Sequence, residues 1–262
     1  MPELPEVETI VRALAPRLQG RRILSAELLA PLVLRHWPDA SSEQISGQRV
    51  REVRRHGKHI VITLERGVLV IHLGMTGKLL FDAPRGPHTR AIFFLDDAEL
   101  HYEDIRMFGS IEFHDALPER MASLGPEPFD LSAADFHARL RQSRTSVKAL
   151  LLGQRVMRGL GNIYVDEAFF RAGILPKRRA DRISRLRANE LHAAILEVLT
   201  EAIAHRGSSV SDYVDAEGNR GGFQLRHNVY GKEGAPCPNC GTPIRRTVVA
   251  QRGTHYCPRC QK

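Results

Sequence analysis

The chain has 262 residues, 42% of them hydrophobic and 26% charged, which suits one or two folded domains and excludes a disordered or fibrous chain. Lys plus Arg number 38 against 30 Asp plus Glu, and the net charge of +8 favours a polyanionic partner, nucleic acid or an anionic membrane. No apolar run approaches the ~20 residues of a membrane span, and the opening Met1-Pro2-Glu3-Leu4-Pro5-Glu6 has neither the basic nor the apolar region of a secretory signal, so an intracellular, cytoplasmic chain with no membrane partner is expected.

Residues 4–20 read as one amphipathic helix, with Val7, Ile10, Val11, Leu14 and Leu18 at helical spacing. Pro5 suits its first turn, Pro16 is expected to kink or shorten it, and Gly20 to stop it. From about 22 to 114 the period becomes two. Runs at 22–29, 49–56, 59–65, 68–73, 91–95, 99–103 and 110–114 predict an antiparallel sandwich or barrel. Gly125-Pro126-Glu127-Pro128 reads as a linker. After it the pattern is helical: 132–142, with Ser132 as N-cap and Asp135 at the capping-box position, then 145–153, 162–172 and a long helix at about 184–205. Residues 206–234 show little periodicity, and a connector of that length is usually functional or disordered.

All four cysteines fall in the last 26 residues, as Cys237-x2-Cys240-x16-Cys257-x2-Cys260. Two such knuckles at this separation are the spacing of a zinc ribbon, with a hairpin between them. Redox disulfides are the plain alternative. Four thiolates leave no open coordination position, so one structural zinc is expected. Arg245, Arg246, Arg252, Arg259 and Lys262 crowd the same segment; a solvated face would also explain them.

At the other end, the initiator Met is generally removed before a small residue such as proline. That would free the secondary amine of Pro2, which can attack a carbonyl carbon such as C1′ of a sugar and form a Schiff base. Glu3 and Glu6 supply acid–base partners nearby. Ordinary complementation of a helix dipole would equally place Glu there. Gly159-Leu160-Gly161-Asn162 can present backbone amides to a phosphate, or can simply be a helix start capped by Asn162. Lys58 follows Gly57 in a basic strand region and by itself reads as solvent-facing. His72, Met75 and Phe108 by themselves read as core, and Arg106 as a surface charge.

Taken together, Pro2-Glu3-Leu4-Pro5-Glu6-Val7-Glu8, Gly57-Lys58, His72-Leu73-Gly74-Met75, Gly159-Leu160-Gly161-Asn162-Ile163-Tyr164 and the ribbon ending Cys257-Pro258-Arg259-Cys260-Gln261 resemble the formamidopyrimidine-DNA glycosylase family over nearly the whole chain. The resemblance implies an α+β fold: an N-terminal helix on an antiparallel β-sandwich (1–124), a helix–two-turn–helix domain (125–230) and a zinc finger (231–262). It implies base-excision repair of oxidised purines, 8-oxoguanine and formamidopyrimidines, with cleavage of the abasic strand by β,δ-elimination. The partner is then double-stranded DNA holding an oxidised base or abasic site. The resemblance further implies an enzyme that acts as a monomer, nucleoid-associated when acting.

The implied roles are specific. Pro2 is the Schiff-base nucleophile, Glu3 the acid/base that assists sugar opening, and Glu6 a support. Lys58 binds phosphate and helps β-elimination; Arg252 meets the lesion phosphates and is tied to δ-elimination. Asn162, Tyr230, His72, Lys148 and His88 look like further DNA contacts. Met75, Arg106 and Phe108 match residues that fill the space a flipped base leaves, and 207–228 is expected to be a flexible loop closing over that base.

Four positions depart from the family pattern. Ile105 and Met107 replace Pro and a second Arg in Asp104-Ile105-Arg106-Met107-Phe108-Gly109, Gly153 replaces Asp or Asn, and Arg158 stands where a small apolar residue is usual. Two other readings fit the same residues: an endonuclease VIII-like enzyme for oxidised pyrimidines, and a non-enzymatic zinc-ribbon protein that binds damaged DNA.

Overall fold

Leu4, Val7, Ile10, Val11, Leu14 and Leu18 line the buried face of helix α1 (Leu4–Leu18). Pro16 lies inside the helix near its end, where it can donate no amide to the preceding turn, and the helix runs only two residues further before Gly20 turns the chain at φ +88°. The computed structural model describes residues 1–37 and 41–262.

Eight strands follow: β1 (Ile23–Leu28), β2 (Val50–His56), β3 (His59–Leu64), β4 (Val68–His72), β5 (Lys78–Phe81), β6 (Thr89–Leu95), β7 (Glu99–Glu103) and β8 (Ser110–His114). They pair into two four-stranded antiparallel sheets, β1-β6-β7-β5 and β2-β3-β4-β8. One apolar core joins α1 (Ile10, Leu14), one sheet (Ile60, Ile62, Ile71) and the other (Phe93, Leu100, Tyr102). Strand β5 is absent from the expected runs, because it is short and buries only Leu79 fully.

The remaining helices are α2 (Glu119–Ala122), α3 (Ala133–Arg141), α4 (Val147–Leu152), α5 (Asn162–Arg171) and α6 (Arg185–Ala204). Ser132 and Ser146 cap α3 and α4 through their hydroxyls, as their side-chain chemistry favours. Asn162 does not cap α5: Gly161 holds that position and Asn162 is the first helical residue. Strands β9 (Arg245–Val249) and β10 (Arg252–Tyr256) form the terminal hairpin.

The described residues make two units. Met1–Ala122 gathers Ile203–Gln224 to itself, and Ser123–Ala202 gathers Leu225–Lys262. Residues 203–224, expected within the 125–230 segment, therefore belong with the sandwich. Phe81 donates its amide to Ala216, and the Asp215 carboxylate gathers the amides of Glu217 and Asn219. No helix among the described residues is long and apolar enough to cross a membrane.

Candidate functional site

Pro2 is buried, and Glu3 and Glu6 are almost wholly so. Glu3 is the N-cap of α1 and Glu6 the third helical residue, so the two form a capping box in which Glu6 Oε2 accepts from the Glu3 amide at 2.7 Å. The other oxygen, Oε1, accepts from the Ser208 amide at 2.7 Å. Gly207 makes that approach possible: its φ is +74°, and a Cβ there would lie 2.5 Å from Glu6 Oε1. Tyr213 donates its hydroxyl to the Glu6 carbonyl at 3.4 Å, and burial beside Glu6 pushes its pKa up, keeping it a donor. Glu6 thus fixes Pro2 and Glu3 against the 203–224 segment.

Lys58 stands in the two-residue loop between β2 and β3, with Gly57 at φ +60° in the first central position, as a type II′ hairpin turn requires. Arg55 braces this loop to α1. It donates to the Gly57 carbonyl (3.3 Å) and to Glu8 Oε2 (2.8 Å). Burial raises the Glu8 pKa, but Arg55 and Arg12 outweigh it and hold Glu8 below the usual carboxylate range. His72 is lowered by burial, then by the charges of Lys58, Arg35 and the N-terminal amine, so these cations share one neighbourhood with it. Its Nδ1 accepts from the Gly74 amide at 3.2 Å, which fits a neutral ring. Arg35, Arg55 and Glu8 lie in this site without a sequence role assigned to them; Arg35 belongs to no motif.

The His59 ring lies 4.9 Å from that of His72, and burial followed by the charge of His72 lowers its pKa from 6.5 to about 4. Between about pH 6.5 and 4 the unfolded chain takes up a proton on His59 that the folded chain refuses, so stability is present above this window and is lost as pH falls through it. His72 adds in the same direction. Tm is expected to fall as pH drops across that window, and less steeply in His59→Gln. A flat wild-type profile would show that the histidines are not buried neutral.

Met75, Arg106 and Phe108 lie on two loops, β4–β5 and β7–β8, and touch one another. The Arg106 guanidinium lies 4.4 Å from the Phe108 ring centroid and reaches Met75 Sδ at 3.6 Å. Met75 and Phe108 are 41% and 51% exposed, so the expectation that they are core fails here. Ile105 beside them is also exposed. Met107, the departure from a second Arg, has φ +53° and turns inward onto the sandwich core. His88 is half-buried, and its carbonyl accepts from the Asp104 amide at 3.0 Å.

In the second unit α5 organises the cationic groups. Asn162 Nδ2 donates to the Gly253 carbonyl at 2.9 Å, one residue from exposed Arg252. The Ala250-Gln251 loop before Arg252 has φ +50° and +57°, a strained turn for two non-glycine residues. Glu167 accepts from the amides of Asn228 (2.8 Å), Val229 (2.9 Å) and Tyr230 (2.8 Å), which fixes the turn that carries Tyr230.

Lys148 corrects an expectation. It is fully buried, and its ammonium donates to Asp166 Oδ1 (2.5 Å), Thr254 Oγ1 (2.8 Å) and the Gly253 carbonyl (3.4 Å). It braces the Arg252 turn from inside. Asp166 Oδ2 holds the His255 amide of β10 at 2.9 Å. Removing one member of such a pair leaves an uncompensated buried charge, so Asp166→Ala should cost about 3–5 kcal/mol and lower Tm by roughly 10 °C. Thermal denaturation checks this; an unchanged Tm would contradict the bracing role.

The four cysteine sulfurs lie within 4.8 Å of one another. Sγ–Sγ distances of 3.9 Å (Cys237–Cys260) and 3.5 Å (Cys240–Cys257) compare with about 3.8 Å for the edge of a tetrahedron with Zn–S bonds near 2.3 Å. None is in a disulfide. The four thiolates therefore fit a closed tetrahedral zinc. The ribbon docks on α5 through Phe170 and Val229, and Gln261 Nε2 donates to the Ile174 carbonyl at 2.9 Å.

The formamidopyrimidine-DNA glycosylase of Solibacter usitatus is 54% identical over the whole of both chains. The chain belongs to the formamidopyrimidine-DNA glycosylase family. Family models match in order along it: formamidopyrimidine-DNA glycosylase N-terminal domain over 1–111, formamidopyrimidine-DNA glycosylase H2TH domain over 124–214, and zinc finger found in FPG and IleRS over 234–262. The last match makes the four-cysteine cluster a zinc finger, with one structural zinc as its ion. The crystal structure of MutM (FPG) from Thermus thermophilus superposes with a TM-score of 0.90 at 43% identity, covering 99% of this chain and 98% of that one. A Lactococcus lactis FPG variant in complex with a Fapy-dG containing DNA gives 0.91 at 35% identity over all of both chains. Arg158 donates to Glu127 Oε1 at 2.7 Å, which ties the 125–128 linker to the loop before α5. Gly153 ends α4 in a helical conformation.

Proposed function

We propose that this chain is a DNA glycosylase with AP lyase activity, acting as a monomer on duplex DNA that contains oxidised purines. One observation carries the reading: Glu6 holds the Glu3 and Ser208 amides at once, fixing Pro2 and Glu3 inside the sandwich unit, whose Lys58 and N-terminal amine share the neighbourhood of His72. Once Met1 is removed, the Pro2 nitrogen attacks C1′ of the damaged nucleotide. Glu3 delivers a proton to the opening sugar, the base leaves, and the nitrogen and C1′ share an iminium. Loss of a proton from C2′ then expels the 3′ phosphate, and a second elimination expels the 5′ phosphate. Lys58, His72, Asn162, Tyr230 and Arg252 bind phosphates, and His88 adds a DNA contact. The zinc ion would have a structural role, and its finger presents Arg252, tied to the second elimination, at the turn of its hairpin.

Met75, Arg106 and Phe108 enter the duplex where the base has left. An apolar wedge lowers the cost of unstacking, and an Arg can hydrogen-bond the orphaned base, a discrimination of about 1–3 kcal/mol for a good bidentate pair. Arg106→Ala is therefore expected to flatten the preference for one opposite base, while cleavage of a ready-made abasic site suffers less. Excision of 8-oxoguanine opposite each of the four bases measures this; an unchanged ratio would make Arg106 a phosphate-contacting or surface charge. The substrate class is tested with duplexes carrying 8-oxoguanine or thymine glycol. Faster cleavage at 8-oxoguanine is expected, and faster cleavage at thymine glycol would assign the chain to oxidised pyrimidines.

A further inference from the structure

One buried carboxylate gathers the loops that carry the exposed wedge. Asp104 follows β7 and is completely buried. Its Oδ1 accepts from the Thr76 hydroxyl (2.5 Å) and the Arg106 amide (3.2 Å). Its Oδ2 accepts from the Gly109 amide (2.9 Å) and the Tyr102 hydroxyl (3.3 Å). Thr76 is the residue after Met75, and Arg106 and Gly109 bracket Phe108. The Asp104 backbone reaches a third loop, donating to the His88 carbonyl (3.0 Å) and accepting from Arg90 Nε (2.9 Å). The loops also meet directly: a Cβ on Gly74 would lie 2.5 Å from the Gly109 nitrogen, and one on Gly109 would run into the Tyr102 hydroxyl and the His72 carbonyl.

Four donors around one dry carboxylate fix its geometry and that of every group donating to it. The arrangement restrains a backbone that would otherwise relax, since Met107 between Arg106 and Phe108 sits at φ +53°. A wedge assembled before DNA arrives does not have to be ordered at the moment a base is flipped, which lowers the cost of that step.

We propose that Asp104, acting with Thr76, is a positioning residue for opposite-base selection, holding Met75, Arg106 and Phe108 as one preformed unit. This rests on the void-filling role given to those three residues. Neither Asp104 nor Thr76 touches DNA; both act through the loops they join.

The test compares wild type with Asp104→Asn, Thr76→Val, Thr76→Ser and Arg106→Ala. Three quantities are read: excision of 8-oxoguanine opposite each of the four bases in duplex DNA, borohydride trapping on a single-stranded oligonucleotide with a ready-made abasic site, and Tm. Asp104→Asn and Thr76→Val are expected to slow duplex excision about tenfold and to move the opposite-base ratio toward that of Arg106→Ala, because a buried donor loses its acceptor or its bridge. Trapping should fall far less, and Thr76→Ser, which keeps the hydroxyl, should behave as wild type. If Asp104→Asn does not fold, Thr76→Val decides. An altered ratio in Arg106→Ala with wild-type ratios in Thr76→Val and Asp104→Asn overturns the positioning role alone. Excision and trapping that fall together with Tm, the ratio intact, also overturn it, by showing a contribution to stability only. An unchanged ratio in Arg106→Ala removes the void-filling role, and this inference with it.

Discussion

Protein carrying Pro2→Gly is expected to lose strand cleavage by on the order of 10³-fold or more, as enzymes do when a covalent nucleophile is lost from an otherwise intact site. Glycine still offers an amine, but a primary one on a backbone free to rotate, so it surrenders both the ring-fixed direction and the direct route to an iminium. Pro2 precedes α1 and donates no amide to it, so the fold and its Tm should persist. A second variant ties up the nitrogen of residue 2 in a peptide bond: Pro2→Glu places a large residue after Met1 and retains the methionine. It should bind damaged duplexes and cleave none of them. Full cleavage by a chain shown by mass spectrometry to retain Met1 would remove Pro2 from the chemistry and favour a different nucleophile.

Zinc removal is expected to have the next largest effect. A two-stranded hairpin is marginal by itself in water, and besides the hydrogen bonds of Asn162, Lys148 and Asp166 to β10, β9–β10 has a small apolar cluster, Phe170, Val229 and Ile244 with Cys237 and Cys257, to hold it. A structural zinc contributes an apparent ~10–16 kcal/mol to such a unit. Chelation, or Cys257→Ser, should release one zinc per chain and unfold the hairpin, and with it the turn that presents Arg252. Affinity for every duplex should then fall, and the slope of log affinity against log salt should shrink by about one unit for the lost Arg252 contact. The sandwich should keep its structure. Freshly purified protein that binds DNA fully without zinc would refute this.

Much of the fold was legible because its signals are local. The 3.6 period of Val7, Ile10 and Leu14, the β-branched run through 59–64, the serine caps of α3 and α4 and the two CxxC knuckles each act within a few residues. What was not legible depends on contacts far apart in the chain. Glu6 and Ser208 meet across 202 positions, and nothing near Ser208 announces that its segment returns to the sandwich. Lys148 has the composition of a DNA contact, and only the placement of Asp166, Thr254 and Gly253 around it shows a buried brace. Asp104 looks like an ordinary acid after a strand until four donors converge on it. Strand β5 lacks a pattern because its place is set by pairing with β7 and by the Ala216 carbonyl, not by its own alternation.

The attacking atom can be identified directly. Wild-type protein is incubated with duplex DNA carrying 8-oxoguanine in the presence of borohydride, the covalent complex is isolated and digested, and the DNA-linked peptide is sequenced by mass spectrometry. The cross-link should lie on the α-nitrogen of Pro2, in a peptide that begins at that residue, with Met1 gone. A cross-link on a lysine side chain, Lys58 above all, or a trapped chain that still carries Met1, would contradict attack by the N-terminal proline.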